Sequence, residues 1–368
     1  MRIGIDARLW NETGVGRYVR NLILELSRLD KQNEYFIFVK NEDEQTVREQ
    51  VPKSFEVIST KIHWHTVSEQ LSFSKEIYKY HLDLMHFPYF SMPLNYNRPF
   101  VITVHDLILH HFSTGKASTK AFPLHFLKRA FYLFLTKKTA QKASAIISVS
   151  QSTKNEIVDH LKVNPAKIRV IYEGVDEKLL GSSKKDLIGN PYIFYVGNAY
   201  PHKNLNRLVS AFEKAHRNNQ KLVLVGLENF FYKRLKKETE KKGVKDVVFF
   251  GQAKDSDLSS LYSSAKAFVM PSLMEGFGLP PLEAMANNCF IIASDIPALR
   301  EICSGAALYF NPYDTADIAD KIAFAFSTED KSSFLKKGKE RIKDFSWEKM
   351  AEETLKIYES STSLRQDK

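Results

Sequence analysis

Short runs of apolar residues recur along the whole chain, separated by longer polar or amphipathic segments. We predict a strand at each run, since a strand buried in a parallel sheet is apolar at consecutive positions. The predicted strands cover residues 2–6, 35–39, 55–59, 84–87, 100–104, 145–149, 168–172, 192–196, 222–225, 247–250, 267–270, 290–293 and 307–310. Apolar residues at helical spacing follow the first strand, at Tyr18, Leu22, Leu26 and Leu29.

Strands that alternate with helices predict an α/β fold with parallel sheets and right-handed crossovers. Ligands of such sheets bind at the carboxyl ends of the strands, so residues directly after a strand are the first functional candidates. A chain of 368 residues is long for one domain, and we expect two. Residues 177–190 have the composition of a linker between them.

The most informative stretch lies between the strand 267–270 and a helix predicted from Pro280–Pro281. The loop Glu275-Gly276-Phe277-Gly278-Leu279 contains two glycines, which let the backbone approach a ligand, and it runs into a helix start that favours an anion. Two carboxylates flank the loop, Glu275 before it and Glu283 in the first turn of the predicted helix, and they suit a ligand that also carries hydroxyls. Alternatively, the glycines form a tight turn and Glu283 interacts with the helix dipole.

A second loop of this kind follows the strand 192–196. Gly197-Asn198 leads to His202-Lys203-Asn204 at the start of the next helix. A glycine after a strand together with a lysine at a helix start is typical of phosphate binding, because the lysine supplies a point charge. Asn204 is either a polar ligand contact or the cap of that helix.

The first half offers weaker candidates. Gly14, Gly16 and Arg17 lie between the first strand and its helix, where a glycine loop can present N–H groups to phosphate or form a plain turn. His105-Asp106 directly follows the strand 100–104, so the histidine is either a ligand of a sugar hydroxyl or a structural residue. His86, at the end of the strand 84–87, is a weaker candidate for lining a cleft.

Composition narrows the class of protein. The formal net charge is +10 and the pI is near 9.2, which favours an anionic partner. Two cysteines, Cys289 and Cys303, lack metal-ligand spacing and predict free, buried thiols in a reducing cytoplasm. No window has the ~20 apolar residues of a membrane span. The D-x-D sequence Asp255-Ser256-Asp257 is interpreted as a cap of a helix 258–265, not as a metal site.

Residues 116–142 combine aromatic and leucine residues with seven basic residues. Such a helix is typical of the core face of a domain, but it could also contact an anionic membrane surface, which would suit a lipid-linked substrate.

Taken together, these motifs resemble the retaining glycosyltransferases of GT-B fold in glycosyltransferase family 4 (group 1). Glu275 and Glu283 match the family's E-x7-E pattern, and the resemblance extends over nearly the whole chain. It implies two Rossmann-like domains facing across a cleft, at 1–175 on the acceptor side and 190–345 on the nucleotide-sugar side. A crossover helix at 346–362 would return to the first domain.

The resemblance also implies roles for individual residues. Lys203 and the Gly276–Leu279 backbone would stabilise the departing diphosphate. Glu275 would bind donor-sugar hydroxyls, Glu283 the ribose, and His105 the sugar from the first domain. The remaining candidates are assigned to the donor (Gly197, Asn198, Asn204, Gly14 and Gly16) or to the acceptor side (Arg17, Asp106 and His86).

No metal is expected, and no nucleic acid. Asn198 and His202 stand where many family members carry arginine, so a second basic ligand of the diphosphate is missing or different. The mannosyltransferase-like segment 294–301 favours GDP-mannose as the donor and a glycan or polyprenyl-linked acceptor of cell-surface polysaccharide synthesis. The enzyme is expected in the cytoplasm, either free or peripheral to the inner face of the plasma membrane. The alternatives are a UDP-sugar-dependent enzyme of the same fold, a nucleotide-sugar epimerase and a non-catalytic nucleotide-binding protein; a glycosidase fits poorly.

Overall fold

A computed structural model describes residues 1–112, 122–176, 185–215 and 219–363. Its chain divides into two compact units. The first unit comprises the residues up to His110, a second stretch that ends at Glu173, and a third stretch that begins at Ser346. The second runs mainly from Gly174 to Phe345.

The first unit is built on a parallel sheet with the strand order β3-β2-β1-β4-β5-β6-β7. Its strands are β1 (Arg2–Asp6), β2 (Glu34–Lys40), β3 (Glu56–Thr60), β4 (Leu84–Phe87), β5 (Phe100–Val104), β6 (Ala145–Ser148) and β7 (Ile168–Val170). Each lies where the apolar runs predict a strand, with ends that differ by at most two residues.

Helices cover this sheet because each has an apolar face to bury. They are α1 (Gly14–Leu29), α2 (Glu44–Gln50), α3 (Ser74–Tyr78), α4 (Ile108–His111), α5 (Phe122–Lys142) and α6 (Gln151–Glu156). In α1 the predicted face is confirmed, since Tyr18, Leu22 and Leu26 are fully buried. Several aromatic residues at the centre of the core, among them Phe38, Phe73 and Phe87, are also fully buried.

The second unit repeats the arrangement with a parallel sheet in the order β10-β9-β8-β11-β12-β13. Its strands are β8 (Tyr192–Val196), β9 (Lys221–Val225), β10 (Val247–Gly251), β11 (Ala267–Met270), β12 (Ile291–Ser294) and β13 (Ala307–Phe310). Its helices are α7 (Leu205–Ala215), α8 (Phe230–Lys241), α9 (Asp255–Ser264), α10 (Leu279–Ala286), α11 (Pro297–Cys303), α12 (Thr315–Ser327) and α13 (Ser332–Arg341).

The last helix, α14 (Trp347–Ser363), returns to the first unit and packs along α1. Tyr358 is fully buried there, and its hydroxyl lies 2.6 Å from Nδ1 of His86 in β4. The crossover helix predicted at 346–362 is therefore present.

Three expectations can be compared with the structure: the role of Asp255 and Asp257, the state of the cysteines, and the lack of a membrane span. Helix α9 begins at Asp255 and not at residue 258, so Asp255 and Asp257 lie in its first turn, where the helix dipole favours acidic residues, and no side chain caps it. Cys289 and Cys303 are free and buried, as predicted, and burial raises the pKa of each thiol to about 12. Among the described residues, no helix is long and apolar enough to cross a membrane.

Candidate active site

Lys203 and Glu275 form an ion pair at the carboxyl ends of β8 and β11. The Nζ atom of Lys203 lies 2.7 Å from Oε1 of Glu275, and the two side chains are 14% and 8% exposed. Parallel strands place the loops after β8 and β11 side by side, because the two strands are neighbours in the sheet. The pair brings together two residues that the sequence assigned to one site.

Most hydrogen-bonding capacity of this pair is unused. An ammonium group has three N–H donors, and among the described residues Lys203 donates to Glu275 alone. Likewise, Oε2 of Glu275 accepts no hydrogen bond from the part of the chain that is described. The pair can therefore bind further acceptors through the ammonium and further donors through the carboxylate, as a phosphate beside a sugar hydroxyl would require.

The loop after Glu275 supplies backbone amides, though fewer than its position at a helix start predicts. Gly278 has φ of 105°, a conformation suited to glycine, and α10 begins at the next residue, Leu279. The second and third helical residues are Pro280 and Pro281, which have no N–H group. Phe277 is 4% exposed and its ring packs against Phe345, so its side chain is part of the core of the second unit.

Glu283 lies deeper than the loop, in the second turn of α10 and not in the first as predicted. It is 4% exposed, and its Oε2 accepts a hydrogen bond of 2.8 Å from the hydroxyl of Tyr262 in α9. This contact fixes the carboxylate in the second turn of α10, against α9. The assignment of Glu283 to ribose hydroxyls stays a prediction.

The loop after β8 is held by close backbone packing. Gly197 donates its N–H to Val225 O, and a Cβ at the neighbouring Gly226 would lie 2.1 Å from the carbonyl oxygen of Gly197. Asn198 is used within this loop, because its Oδ1 accepts from the amide of Tyr200 at 3.2 Å and its carbonyl accepts from Tyr195 at 2.7 Å. It supplies no charge where many family members carry arginine.

The predicted donor contact through the side chain of Asn204 is wrong. Its Nδ2 donates to the carbonyl oxygens of Pro271 and Pro312, and its Oδ1 accepts from Arg207. Asn204 adopts φ of 59° and its backbone carbonyl accepts from the first turn of α7. The amide therefore ties three segments together, because its hydrogen-bonding groups are all engaged by the protein.

His202 does not replace the missing arginine as a cation. The residue is 4% exposed, and its buried Nδ1 has no hydrogen-bond partner within the described part of the chain. Burial, reinforced by the adjacent charge of Lys203, lowers the pKa of His202 to about 4. A neutral imidazole leaves Lys203 as the cation of this loop near neutral pH.

In the first unit, His105 lies directly after β5 and is 8% exposed. Its Nδ1 lies 2.9 Å from Oε1 of Glu173, and its Nε2 lies 3.1 Å from the carbonyl oxygen of Pro88. The ring of Tyr18 packs edge-on against it at 4.9 Å between centroids. Asp106, the next residue, accepts from the amide of Ile108 at 2.9 Å and so shapes the turn into α4.

The prediction that His86 lines a cleft is wrong. The side chain is fully buried, with Nδ1 at 2.6 Å from the hydroxyl of Tyr358 and Nε2 at 2.8 Å from that of Thr103. Burial lowers the pKa of His86 to about 3. It is a neutral core histidine that binds α14 to the sheet.

The glycines before α1 differ from each other. A Cβ at Gly16 would lie 2.5 Å from the carbonyl oxygen of Trp10 and 2.8 Å from that of Leu9, whereas Gly14 has open space around it. Gly16 therefore allows α1 to pack closely on the turn after β1. Arg17 is half-buried in the first turn of α1.

Known proteins resemble both halves of the chain. The family described as glycosyl transferases group 1 matches residues 182–341, and the family described as Glycosyltransferase Family 4 matches residues 13–179. The chain belongs to the group 1, family 4 glycosyltransferases.

One relative of this family 4 chain is the O-antigen chain mannosyltransferase RfbU of Salmonella typhimurium, which is 32% identical over 225 residues. The matched region covers 61% of this chain and 59% of that relative's length. The sucrose-phosphate synthase of Thermosynechococcus elongatus has the same fold, with a TM-score of 0.79 at 20% identity over 99% of this chain and 100% of that one. HepE of Anabaena, in complex with UDP and glucose, gives a TM-score of 0.75 at 17% identity, over 98% of this chain and 100% of HepE. The GT-B fold predicted from the E-x7-E motif is thereby confirmed.

Two residues of this family 4 chain that form buried ion pairs, Glu173 and Arg8, were not predicted from the sequence. Glu173, the acceptor for His105, stands among strand and linker residues with no pattern to single it out. Arg8 is fully buried and bound to Asp6 and Glu69, with Nη2 at 2.6 Å from a carboxylate oxygen of each. The Asp-x-Arg sequence that begins at the last residue of β1 was the available signal for Asp6 and Arg8, but Glu69 lies 61 residues after Arg8.

Proposed function

We propose that this family 4 glycosyltransferase moves a hexose, mannose from GDP-mannose, onto a hydroxyl of a glycan or polyprenyl-linked acceptor in cell-surface polysaccharide synthesis. The incompletely bonded pair of Lys203 and Glu275, beside the Gly276–Leu279 backbone, carries the proposal. Its cation suits a diphosphate, and its carboxylate suits sugar hydroxyls.

In the proposed reaction the acceptor oxygen forms a bond to C1 of the sugar while the bond from C1 to the diphosphate oxygen breaks. Bond formation and bond breaking take place on the same face of the sugar, so the anomeric configuration is retained. The acceptor's proton passes to an oxygen of the departing phosphate. Lys203 and the amides of Gly278 and Leu279 stabilise the negative charge that grows on the diphosphate, which is where preorganised donors lower a barrier most effectively. No metal is required in this scheme.

Two resemblances bear on the donor. The name of RfbU states a mannosyltransferase, and the sequence identity to it is 32%. HepE holds UDP and glucose, but its 17% identity reflects the fold and not the specificity. The closer sequence likeness favours GDP-mannose over a UDP-sugar.

The test is a thermal-shift titration with GDP, UDP and ADP, each with and without EDTA. A ligand that binds only the folded state raises the melting temperature by mass action. We expect a shift with GDP that EDTA does not remove. A shift with UDP alone would mean that the donor is a UDP-sugar and not GDP-mannose. No shift with any of the three nucleotides would contradict the proposal. GDP-mannose incubated without acceptor should yield no epimerised donor, since an epimerase would need no acceptor.

Retention is tested separately with a polyprenyl-linked glycan as acceptor. NMR of the product should show the anomeric configuration of the donor, and an inverted linkage would contradict a one-face displacement.

The acceptor proposal includes contact with the inner face of the plasma membrane through the 116–142 segment. Residues 116–121 lie outside the described residues. In α5, Phe131 is 50% exposed and Phe134 is 51% exposed, next to the exposed Lys137 and Lys138. Exposed aromatic rings beside lysines suit an anionic lipid surface.

Cosedimentation with vesicles containing anionic lipid should therefore fall when both phenylalanines are replaced by serine. The matched control is Tyr313→Ser, at a residue that is 66% exposed in the second unit. Equal cosedimentation of all three proteins, or none with the unaltered protein, would exclude this surface.

A further inference from the structure

Two large apolar side chains of the second unit face solvent at the start of α8. Leu227, in the loop after β9, is 64% exposed, and Phe230, the first residue of the helix, is 46% exposed. Apolar residues that are exposed singly are ordinary on a protein surface. Two of them within four positions form a patch that a partner can bury.

The loop that presents these side chains is held by its own hydrogen bonds. Oδ1 of Asn229 accepts from the amides of Phe231 and Tyr232, at 2.9 Å and 3.2 Å, and so caps α8. The amide of Asn229 donates in turn to the carbonyl oxygen of Leu227 at 2.8 Å. The exposure of Leu227 and Phe230 is therefore a property of an ordered, capped helix start.

Phe230 lies on the outer side of α8. The helix packs on its own unit through three buried residues, Tyr232, Leu235 and Thr239. At 3.6 residues per turn, Phe230 is on the opposite side, which it shares with the positions three, four, seven and eleven residues later. These positions are all basic and exposed: Lys233, Arg234, Lys237 and Lys241.

The charge of this region is strongly positive. Residues 227–245 include seven basic and three acidic residues. One of the three, Glu238, is paired with Arg234 at 2.7 Å. Each basic residue close to an anionic lipid surface increases the affinity for it about fivefold, so several of them on one side of a helix favour such a surface strongly.

The combination of apolar and basic residues selects among anionic partners. A soluble polyanion, such as an acidic polysaccharide, would bind the lysines but leave Leu227 and Phe230 in water. An anionic lipid surface offers a layer of phosphates and, beneath it, an apolar layer that apolar side chains can enter. Because Phe230 and the basic residues lie on one side of α8, one surface can contact them together.

The start of α8 is also attached to the loop after β8. The rings of Phe231 and Tyr200 pack at 5.0 Å between centroids, and the hydroxyl of Tyr232 donates to the carbonyl oxygen of Gly197 at 3.0 Å. Lys203 lies at the end of the same loop. A membrane contact at α8 therefore brings the proposed donor-binding loop of this unit close to the lipid surface.

We propose that the start of α8 is a membrane-docking surface of the second unit, in which Leu227 and Phe230 insert among anionic lipids and the basic side of α8 binds their phosphates. The contact is separate from the one proposed for α5, because it uses the second unit alone. It depends neither on the identity of the donor nor on turnover.

The first test is cosedimentation with vesicles of phosphatidylcholine, with and without phosphatidylglycerol, at about 0.1 M salt. We expect the unaltered protein to bind only the anionic vesicles. Replacing both Leu227 and Phe230 with serine should weaken binding by roughly 10-fold. Replacing three basic residues with glutamine should weaken it by roughly 100-fold, in the variant Lys233→Gln, Lys237→Gln and Lys241→Gln.

The matched control removes the same charge from α13 of the same unit, in the variant Lys336→Gln, Lys337→Gln and Lys339→Gln. Every residue of α13 is described; its lysines are exposed, and none of its large apolar side chains is. This variant should keep nearly full vesicle binding. Equal losses in the two lysine variants, unchanged binding in the serine variant, or no binding by the unaltered protein would overturn the proposal.

The second test locates the contact and leaves the charges in place. In Phe230→Trp, the added fluorescence should be quenched by anionic vesicles that contain brominated lipid. The control is Tyr313→Trp, at a residue of the same unit that is 66% exposed, and it should be quenched much less. Equal quenching in the two variants, or none in Phe230→Trp, would contradict insertion at α8.

Inorganic polyphosphate is the probe for a soluble polyanion. Binding of polyphosphate without binding of anionic vesicles would assign the basic side of α8 to such a polyanion and would contradict a membrane contact. No nucleotide is present in these experiments. A failed GDP titration would therefore leave their result standing, and their failure would leave the proposed donor untouched.

Discussion

Each of the two sheets has a buried cation paired with carboxylate at the ends of its strands. The two clusters differ in how many of their hydrogen-bonding groups are already bonded within the protein. Arg8 donates through Nε and Nη2 to Asp6, through Nη2 to Glu69 and through Nη1 to the carbonyl of Ile62. Its guanidinium also lies 3.7 Å from the centre of the Phe73 ring. The ammonium group of Lys203 donates to Glu275 alone among the described residues.

This difference separates a structural cluster from the proposed ligand site. The second oxygen of Glu69 is also engaged, accepting from the hydroxyl of Ser91 at 2.6 Å and the amide of His65 at 3.0 Å. A network with its groups bonded inside the protein rigidifies the turn after β1 but has little left for a ligand. The pair in the second unit is bonded just enough to stay buried, and it retains donors for a phosphate.

The largest effect is expected from Arg8→Met. Removing the cation leaves Asp6 and Glu69 as uncompensated buried carboxylates, which costs about 3–5 kcal/mol of unfolding free energy. Urea unfolding measures this loss. The matched control is Arg300→Met, because Arg300 forms a similarly bidentate pair with Asp295 but about half of each side chain is exposed. That change should cost about 0–1 kcal/mol. Equal losses in the two variants would contradict a structural role of the buried cluster.

Lys203→Met is expected to act on turnover more than on stability. Losing a preorganised donor for the departing diphosphate lowers kcat by roughly 10²–10³-fold. Steady-state kinetics with the donor identified by thermal shift measures the loss. Lys221→Met is the control, since Lys221 pairs with Asp246 at 2.5 Å at the start of β9, the opposite end of the same sheet. Comparable turnover in the Lys203 and Lys221 variants would remove the distinction between the two clusters.

A smaller effect concerns pH and tests the neutral network of His86. The pKa of His86 is about 3 when folded and about 6.5 when unfolded, so the unfolded state binds the proton more readily. The neutral His86 therefore contributes stability that is fully present above about pH 6.5 and is lost as the pH falls toward 3. By pH 5 the loss is about 2 kcal/mol, at about 1.4 kcal/mol per pKa unit.

His86→Gln keeps a donor and an acceptor but does not titrate, so its unfolding free energy should depend less on pH between 6.5 and 5. Urea unfolding at these pH values compares the two proteins. An unchanged slope would show that other groups, such as His65 and His202 with their lowered pKa values, cause the acid sensitivity.

The fold could be predicted from the sequence because its signals are local. Each strand is a short apolar run between polar residues, and the alternation with helices leaves a parallel sheet as the simple solution. The error at α9 has a local cause too: Asp255 and Asp257 suit both a cap and a first turn, and the structure uses the latter.

Side-chain contacts were less predictable, because they join residues far apart in sequence. That loops after β8 and β11 converge follows from the parallel sheet, but the contact of Lys203 with Glu275 spans 72 residues and is visible only in the structure. His86 looked like a ligand residue at a strand end. Its partner Tyr358 lies 272 residues later, and nothing near His86 indicated it.

The central claim is that Glu275 acts on the sugar while neighbouring groups hold the nucleotide. It is tested most directly by calorimetric titration of GDP into the unaltered protein and Glu275→Ala, together with release of GDP from GDP-mannose in the presence of acceptor and EDTA. We expect similar GDP affinities for the two proteins and loss of GDP release in the variant. Full release by Glu275→Ala, or loss of GDP binding, would contradict it.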